Sequence, residues 1–217
     1  MRIHGQEVLV RAAVVAAVLL SAGCISVPPG TGQPAPRQAT AQQQPDVGRE
    51  ESPVAAAALD LLGVRRLRVE GRRYNFDCSG SILAAHHLAG VDLLPRFEQH
   101  RGNGVARLWE MGSPVGEQEI KPGDVVFWDN TWDRNGSRRM DDELTHAGIV
   151  VSVDSDGGGT MLVMHHHYRE GIVNVRMNLR HPGDLTLNDP MRMRSQRYRL
   201  EDPWLAGELF RGARRLY

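Results

Sequence analysis

The sequence predicts an α+β domain, and three features of it do so. Helix-forming runs begin at Pro53 and Cys78, in the first half of the folded part. Four short apolar or β-branched stretches follow, all after Lys121-Pro122-Gly123 and separated by turn residues. Helices first and strands later within one domain is the α+β pattern. A polar segment of low complexity ends before both, so the folded part is expected to be residues 52–217. That length suits a single core.

The first element is an export signal. Met1, Arg2 and Arg11 make a basic start, Ala12 to Leu20 an apolar centre too short to span a bilayer, and Ser21-Ala22-Gly23 a small-residue exit into Cys24. Leu20-Ser21-Ala22-Gly23-Cys24 resembles a bacterial lipoprotein box, in which the cysteine becomes the acylated first residue; Ser21 stands where that box usually has leucine, which leaves ordinary cleavage open. Residues 1–23 are therefore expected to be the signal and Cys24 the lipidation site. Ile25, rather than aspartate, follows that cysteine, which favours an outer-membrane lipoprotein facing the periplasm. Residues 24–51 are rich in Pro, Gln, Ala, Thr and Gly, bury too little apolar surface to offset chain entropy, and are expected to be a disordered tether.

In the folded part, Pro53 to Leu62 is alanine- and leucine-rich, with Ser52 as cap and Gly63 as stop. The arginine-rich stretch from Val64 to Tyr74 reads as a loop. Asn75-Phe76-Asp77 then leads into a helical run from Cys78 to Ala89, closed by Gly90, with Ile82, Ala85 and Ala89 on one face. Leu94-Pro95-Arg96 opens a short helix, and glycines punctuate the text up to Glu119 as loops. The strands are Asp124–Trp128, Ala147–Val153, Met161–Met164 and Ile172–Met177, an antiparallel meander expected to pack on the cysteine helix.

Acidic and basic residues balance, at 26 each, with Lys121 the only lysine. No excess charge steers a polyanion, so nucleic acid is not an expected partner. Cys24 and Cys78 are the only cysteines. With the first used for lipid or lost with the signal, Cys78 is left unpaired in an oxidising compartment. A thiol at a helix N-terminus gains nucleophilicity when its pKa falls, and it needs an imidazole beside it.

His146 opens an apolar strand directly after a polar loop, where a base can meet the start of a helix. His165-His166-His167 ends the next strand, and strand alternation puts His165 and His167 on one face and His166 on the other. One member of the triplet can hold the His146 ring in its useful tautomer. The competing reading joins His146 and two of the triplet to zinc, although no fourth ligand stands at a telling spacing. His86 and His87, two turns along the cysteine helix, are read as packing or solvated residues.

These residues resemble the NlpC-type family of bacterial cell-wall cysteine peptidases. The resemblance rests on ordered fragments: Leu62-Gly63, then Phe76-Asp77-Cys78-Ser79-Gly80, Leu94-Pro95-Arg96 with Gln99, Lys121-Pro122-Gly123-Asp124-Val125-Val126-Phe127, and His146-Ala147-Gly148-Ile149. Val163-Met164-His165 ahead of Gly171-Ile172 and the closing Trp204, Phe210 and Arg214-Arg215 complete it. The resemblance implies a papain-like fold with a Cys-His-His triad. Cys78 would be the nucleophile, His146 its base, and His165, favoured over His167 by register, the orienting residue.

The implied substrate is the peptidoglycan stem peptide, cut between γ-D-glutamate and a diamino acid through an acyl-enzyme, with no cofactor. An amidase or acyltransferase on the same fold, or an inactive wall-binding lipoprotein, is the alternative. Asp77 and Ser79 match groove positions in the family, and Asp77 alternatively caps the helix.

Two departures stand out. Arg66 replaces a tyrosine that shapes the family's substrate site, with Tyr74 as a possible substitute. A long insertion, Asp129 to Thr145, precedes His146; it carries Trp132, suited to stacking on a glycan ring. Its Thr131-x-Asp133-x-Asn135-Gly136-x5-Asp142 echoes a calcium loop without the leading acid and final glutamate. An activating partner and the oligomeric state stay open.

Overall fold

The computed structural model describes residues 52–154 and 158–217; the expected signal, Cys24 and the tether lie outside these. Helix α1, Pro53–Asp60, starts as its sequence dictates: the Ser52 side chain accepts from the Ala55 amide, and proline occupies the first helical position where no donor is missed. A two-strand ribbon follows, β1 (Arg68–Val69) with β2 (Arg72–Arg73), within the stretch expected to be a loop. Helix α2, Cys78–Leu88, is capped by Asp77. Helices α3 (Leu94–Phe97) and α4 (Gly104–Met111) complete the helical half. The α4 helix, read from sequence as loop text, is capped by Asn103 and buries Val105, Leu108 and Met111, a three-residue spacing along one face.

Six antiparallel strands form one sheet: β3 (Ser113–Val115), β4 (Val125–Trp128), β5 (His146–Val153), β6 (Thr160–His167), β7 (Gly171–Asn178) and β8 (Phe210–Arg215). Their order is β3-β8-β4-β5-β6-β7, so the last strand enters between the first two while β4 to β7 form the expected meander. The predicted α+β class holds.

Alternation along the strands builds two cores. On one face, Val125, Phe127, Ala147, Ile149, Met164 and Ile172 pack with α1, α2 and α4 through Ala58, Ile82, Ala85 and Leu108. On the other, Val126, Trp128, Val150, Val163, Val175 and Met177 are covered by Ala206 and Leu209 from the long connection between β7 and β8. The fully buried Asp124 carboxylate receives two hydrogen bonds from Arg215, at 2.8 and 2.9 Å, which tie β8 to the turn before β4.

His86 is fully buried on α2, with Nδ1 2.8 Å from the Ile82 carbonyl and Nε2 without a partner among the described residues. Burial pushes its pKa down to about 4, against 6.5 ordinarily, the Ile82 carbonyl opposing. The unfolded chain thus binds a proton between those values that the native state refuses. The stability contribution is full above pH 6.5 and is lost as pH falls toward 4. Between pH 7.5 and 5 the loss from this group is about 2 kcal/mol. Denaturant unfolding at both pH values should show His86→Leu losing that much less stability on acidification than the parent; an identical loss contradicts the assignment.

Candidate active site

Cys78 occupies the first position of α2, and two backbone features put it there. Asp77 is extended and its Oδ1 accepts from the Gly80 amide at 2.7 Å and the Ser79 hydroxyl at 2.8 Å. Gly80 lies so close to the preceding turn that a Cβ there would sit 2.0 Å from the Asn75 carbonyl oxygen. The Asp-Cys-Ser-Gly order is therefore a local folding instruction, with a side-chain cap three positions before the glycine that permits close approach.

Helix α2 packs against β5 and β6, and the amides of Ser79, Ala147 and Cys78 all favour the ionised sulfur. His146, next to Ala147, pairs with Trp128 across β4 and β5. Its Nε2 lies 2.9 Å from Nδ1 of His165, and the ring planes stand at 87°. Gly148 allows this contact. Gly148 faces His165 across β5 and β6, and a Cβ on it would meet the Met164 carbonyl oxygen at 2.7 Å. The His-Ala-Gly spacing thus lets β6 approach closely enough for the two rings to bond.

Trp128 backs both rings, with centroids 5.8 Å from His146 and 6.5 Å from His165, and is itself fixed by an indole hydrogen bond to the Ala206 carbonyl at 2.8 Å. It was legible in the sequence only as a strand residue. His167 shares the face of His165, yet its Nδ1 accepts from the Glu170 amide at 3.2 Å. The register thus brings His165 to His146, while the His167 ring nitrogen turns to the β6–β7 turn.

The electrostatics differ from the expectation of a thiol acidified by its helix. Burial pushes Cys78 up to about 11, the Asp77 charge adding to this, and the amides of Ser79, Ala147 and Cys78 offset only part. Burial brings His146 down to about 4, with His166 and His167 adding and Asp77 opposing; His165 is pushed well below its ordinary value for the same first reason. Desolvation penalises charge on both groups, so thiol and imidazole are each neutral at rest.

The remaining predicted residues are distributed as follows. Asp77 stands at the site but uses Oδ1 as the cap. Ser79 is buried beneath the start of α4, where a Cβ on Gly104 would come within 2.2 Å of its hydroxyl, and it does not line an open groove. Tyr74 bonds His87 near the end of α2 at 2.8 Å; since nine helical steps separate Cys78 from His87, about 13.5 Å at 1.5 Å per residue, it does not substitute at the sulfur. Arg66 is exposed in the bend before β1. Trp132 is exposed on the insertion.

The insertion is held by its own hydrogen bonds. Asp142 accepts from the Arg134 amide, Asp133 from the Arg138 amide and the Tyr198 hydroxyl, and Asp141 from Asn135 and Ser137. Its carboxylates thus face N–H and O–H donors. The His146–His165 contact also differs from shared zinc ligation: two nitrogens on one tetrahedral zinc stand about 3.3 Å apart, whereas 2.9 Å is a hydrogen-bond distance. No group of three His, Cys, Asp or Glu among the described residues is arranged to hold a metal ion.

One neighbour of the site was read in the sequence only for its face. His166, on the opposite face of β6 from His165, packs edge-on against Phe76 with centroids 4.6 Å apart, and its Nε2 is buried without a partner among the described residues. Strand alternation gave its face but not the Phe76 contact, which depends on how the turn before α2 folds.

Known proteins resemble this chain in part. A γ-DL-glutamyl hydrolase of Bacillus subtilis (strain 168) is 36% identical over 76 residues, which are 35% of this chain. The chain spans only 15% of the length of that relative. A crystal structure described as similar to lipoprotein, NLP/P60 family, from Staphylococcus aureus subsp. aureus Mu50 covers 76% of this chain and 40% of its own, at 18% identity and a TM-score of 0.38. The sequence profile of the NlpC/P60 family matches residues 65–187, more than half of the sequence. The chain belongs to the NlpC/P60 family.

Proposed function

We propose that this protein is a cysteine peptidase of the bacterial cell envelope that hydrolyses peptidoglycan stem peptides at the bond from γ-D-glutamate to the diamino acid. The observation that carries the reading is the 2.9 Å contact of His146 with His165 on neighbouring strands, with Cys78 opening the helix that packs against those strands. Family membership and the partial likeness to a γ-DL-glutamyl hydrolase support the substrate class. The domain in this reading is residues 52–217, carried on a tether, residues 24–51, behind a lipid-bearing Cys24.

For His146 to act as base, its Nδ1 must be free of a proton. Nε2 then carries the hydrogen and donates to His165 Nδ1, which fixes the ring and stabilises the imidazolium once formed. The Cys78 thiol gives its proton to His146 as the sulfur attacks the γ-carbonyl carbon. Because thiol and imidazole start neutral, charge develops only with attack, in a site whose amides are already oriented. The Cys78 and Ser79 amides, at the open end of α2, are placed to stabilise the oxyanion. Collapse expels the diamino acid's amine, which takes the proton from His146, and leaves a thioester. Water, deprotonated by His146, releases the D-glutamyl acid and restores the thiol.

His165→Ala should lower kcat on muropeptides by about 10^3-fold or more with little change in KM, because the interaction lost serves the imidazolium of the transition state. His167→Ala should stay within a few-fold of the parent. Equal losses in the two variants contradict the assigned roles. Activity that survives a chelator and disappears with a thiol alkylator is the expected inhibition pattern; the reverse favours zinc.

A further inference from the structure

We propose that the turn built by residues 193–200 is a contact surface for anionic phospholipid, separate from the site around Cys78. Between Pro190 and Leu200 the chain carries Arg192, Arg194, Arg197 and Arg199 and no carboxylate, in a protein whose formal charges cancel overall. The turn is held rigidly from within. Arg192, almost fully buried, donates to the Asn130 carbonyl and, at 2.8 Å, to the Gln196 carbonyl. Asp202 accepts from the Tyr198 and Arg199 amides, both at 2.9 Å, and Arg197 donates to the Leu200 and Asp202 carbonyls.

What this frame presents is unusual in two respects. Leu200 is 92% exposed, the most exposed large apolar residue among those described, with Tyr198 and Met193 also exposed beside it. Around it lie guanidinium groups without a carboxylate partner among the described residues. Arg194 and Arg197 rest over the Trp204 ring at 5.6 and 4.8 Å, which positions them without neutralising them. Arg194, Arg197, Tyr198, Arg199 and Leu200 line a hollow of about 360 Å³.

The combination selects the occupant. A soluble anion has no use for a projecting leucine, and an apolar partner surface would strand three cations. A membrane interface rich in phosphate headgroups accepts both, with the apolar tip in the acyl boundary and the arginines at headgroup level. The contact is independent of acylation at Cys24 and of the peptidase reading.

The test uses the full chain carrying Cys24→Ser, so that no acyl group can attach, sedimented with vesicles of phosphatidylcholine alone or with one-third phosphatidylglycerol. Affinity should be markedly higher for the anionic vesicles and fade as salt rises. Arg194→Gln with Arg199→Gln should weaken anionic-vesicle binding about 25-fold, from about 5-fold for each basic residue at such a surface, and Leu200→Ser should weaken it independently. Since all three side chains are exposed, melting temperature and muropeptide cleavage should match the parent. Equal affinity for the two vesicles, a double variant within twofold of the parent, or binding to soluble polyphosphate without binding to vesicles overturns the proposal.

Discussion

Cys78→Ala is expected to lower kcat on purified muropeptides by about 10^4-fold or more. The size follows from the chemistry. Without sulfur there is no thioester, and His146 alone, with a pKa near 4, is a weak base for activating water directly. Residual turnover from binding and the helix amides would be all that remains. The fold should be unaffected, since the change removes one sulfur atom and alanine is a better helix former at that position. Matched circular dichroism and melting of the two proteins would therefore accompany the kinetic assay, and undiminished turnover in the variant would remove Cys78 from the mechanism.

The second large effect is on folding. Gly80→Ala places a methyl group 2.0 Å from the Asn75 carbonyl oxygen and 2.8 Å from its carbon. These are backbone atoms, so no side-chain rotation relieves the overlap. Either α2 moves away from the turn or the turn opens, and both separate Asp77 from the Gly80 amide it caps. A loss of about 3 kcal/mol or more is expected, the sum of overpacking strain and a broken cap. The consequence for activity should exceed that for stability, because the same displacement moves Cys78 relative to Ala147 and His146. Chemical denaturation and a kcat measurement on the residual folded fraction check both; a variant as stable as the parent contradicts the packing described.

The parts of this fold that could be read in the sequence are those encoded locally. Ser52 with Pro53 and four alanines define α1, and Asp77, Gly80 and the apolar run define α2. Alternating or continuous apolar residues mark β4 to β7. Strand β8 could not be read this way. Phe210–Arg215 carries three arginines, and it is a strand because β3 and β4 flank it and Asp124 holds Arg215. The α4 helix was obscured by Gly102, Gly104 and Gly112, although Asn103 and the spacing of Val105, Leu108 and Met111 carried the signal.

The site divides along the same line. Cys78 and His146 stand at element starts and announce themselves. His165 and His167 occupy equivalent faces, and the choice between them depends on the pairing of Gly148 with His165, a contact between distant residues. Ser79 matched a groove position and Tyr74 stood as a substitute for the tyrosine that Arg66 replaces, but what packs over a side chain decides where it points: α4 covers the first and His87 binds the second. The direction of the Cys78 shift was equally hidden, because a helix N-terminus is visible in sequence and desolvation is not.

Family membership gives the chain an α+β, papain-like fold. The proposed cut is at the bond from γ-D-glutamate to the diamino acid. Its most direct test is a digest of diaminopimelate-containing muropeptides by the full chain, with products read by mass spectrometry. The account predicts two fragments whose masses sum to the substrate plus one water, the glycan-linked one ending at D-glutamate. Intact substrate after exhaustive digestion by folded protein, or fragments that place the cut between the lactyl group and L-alanine, would contradict it.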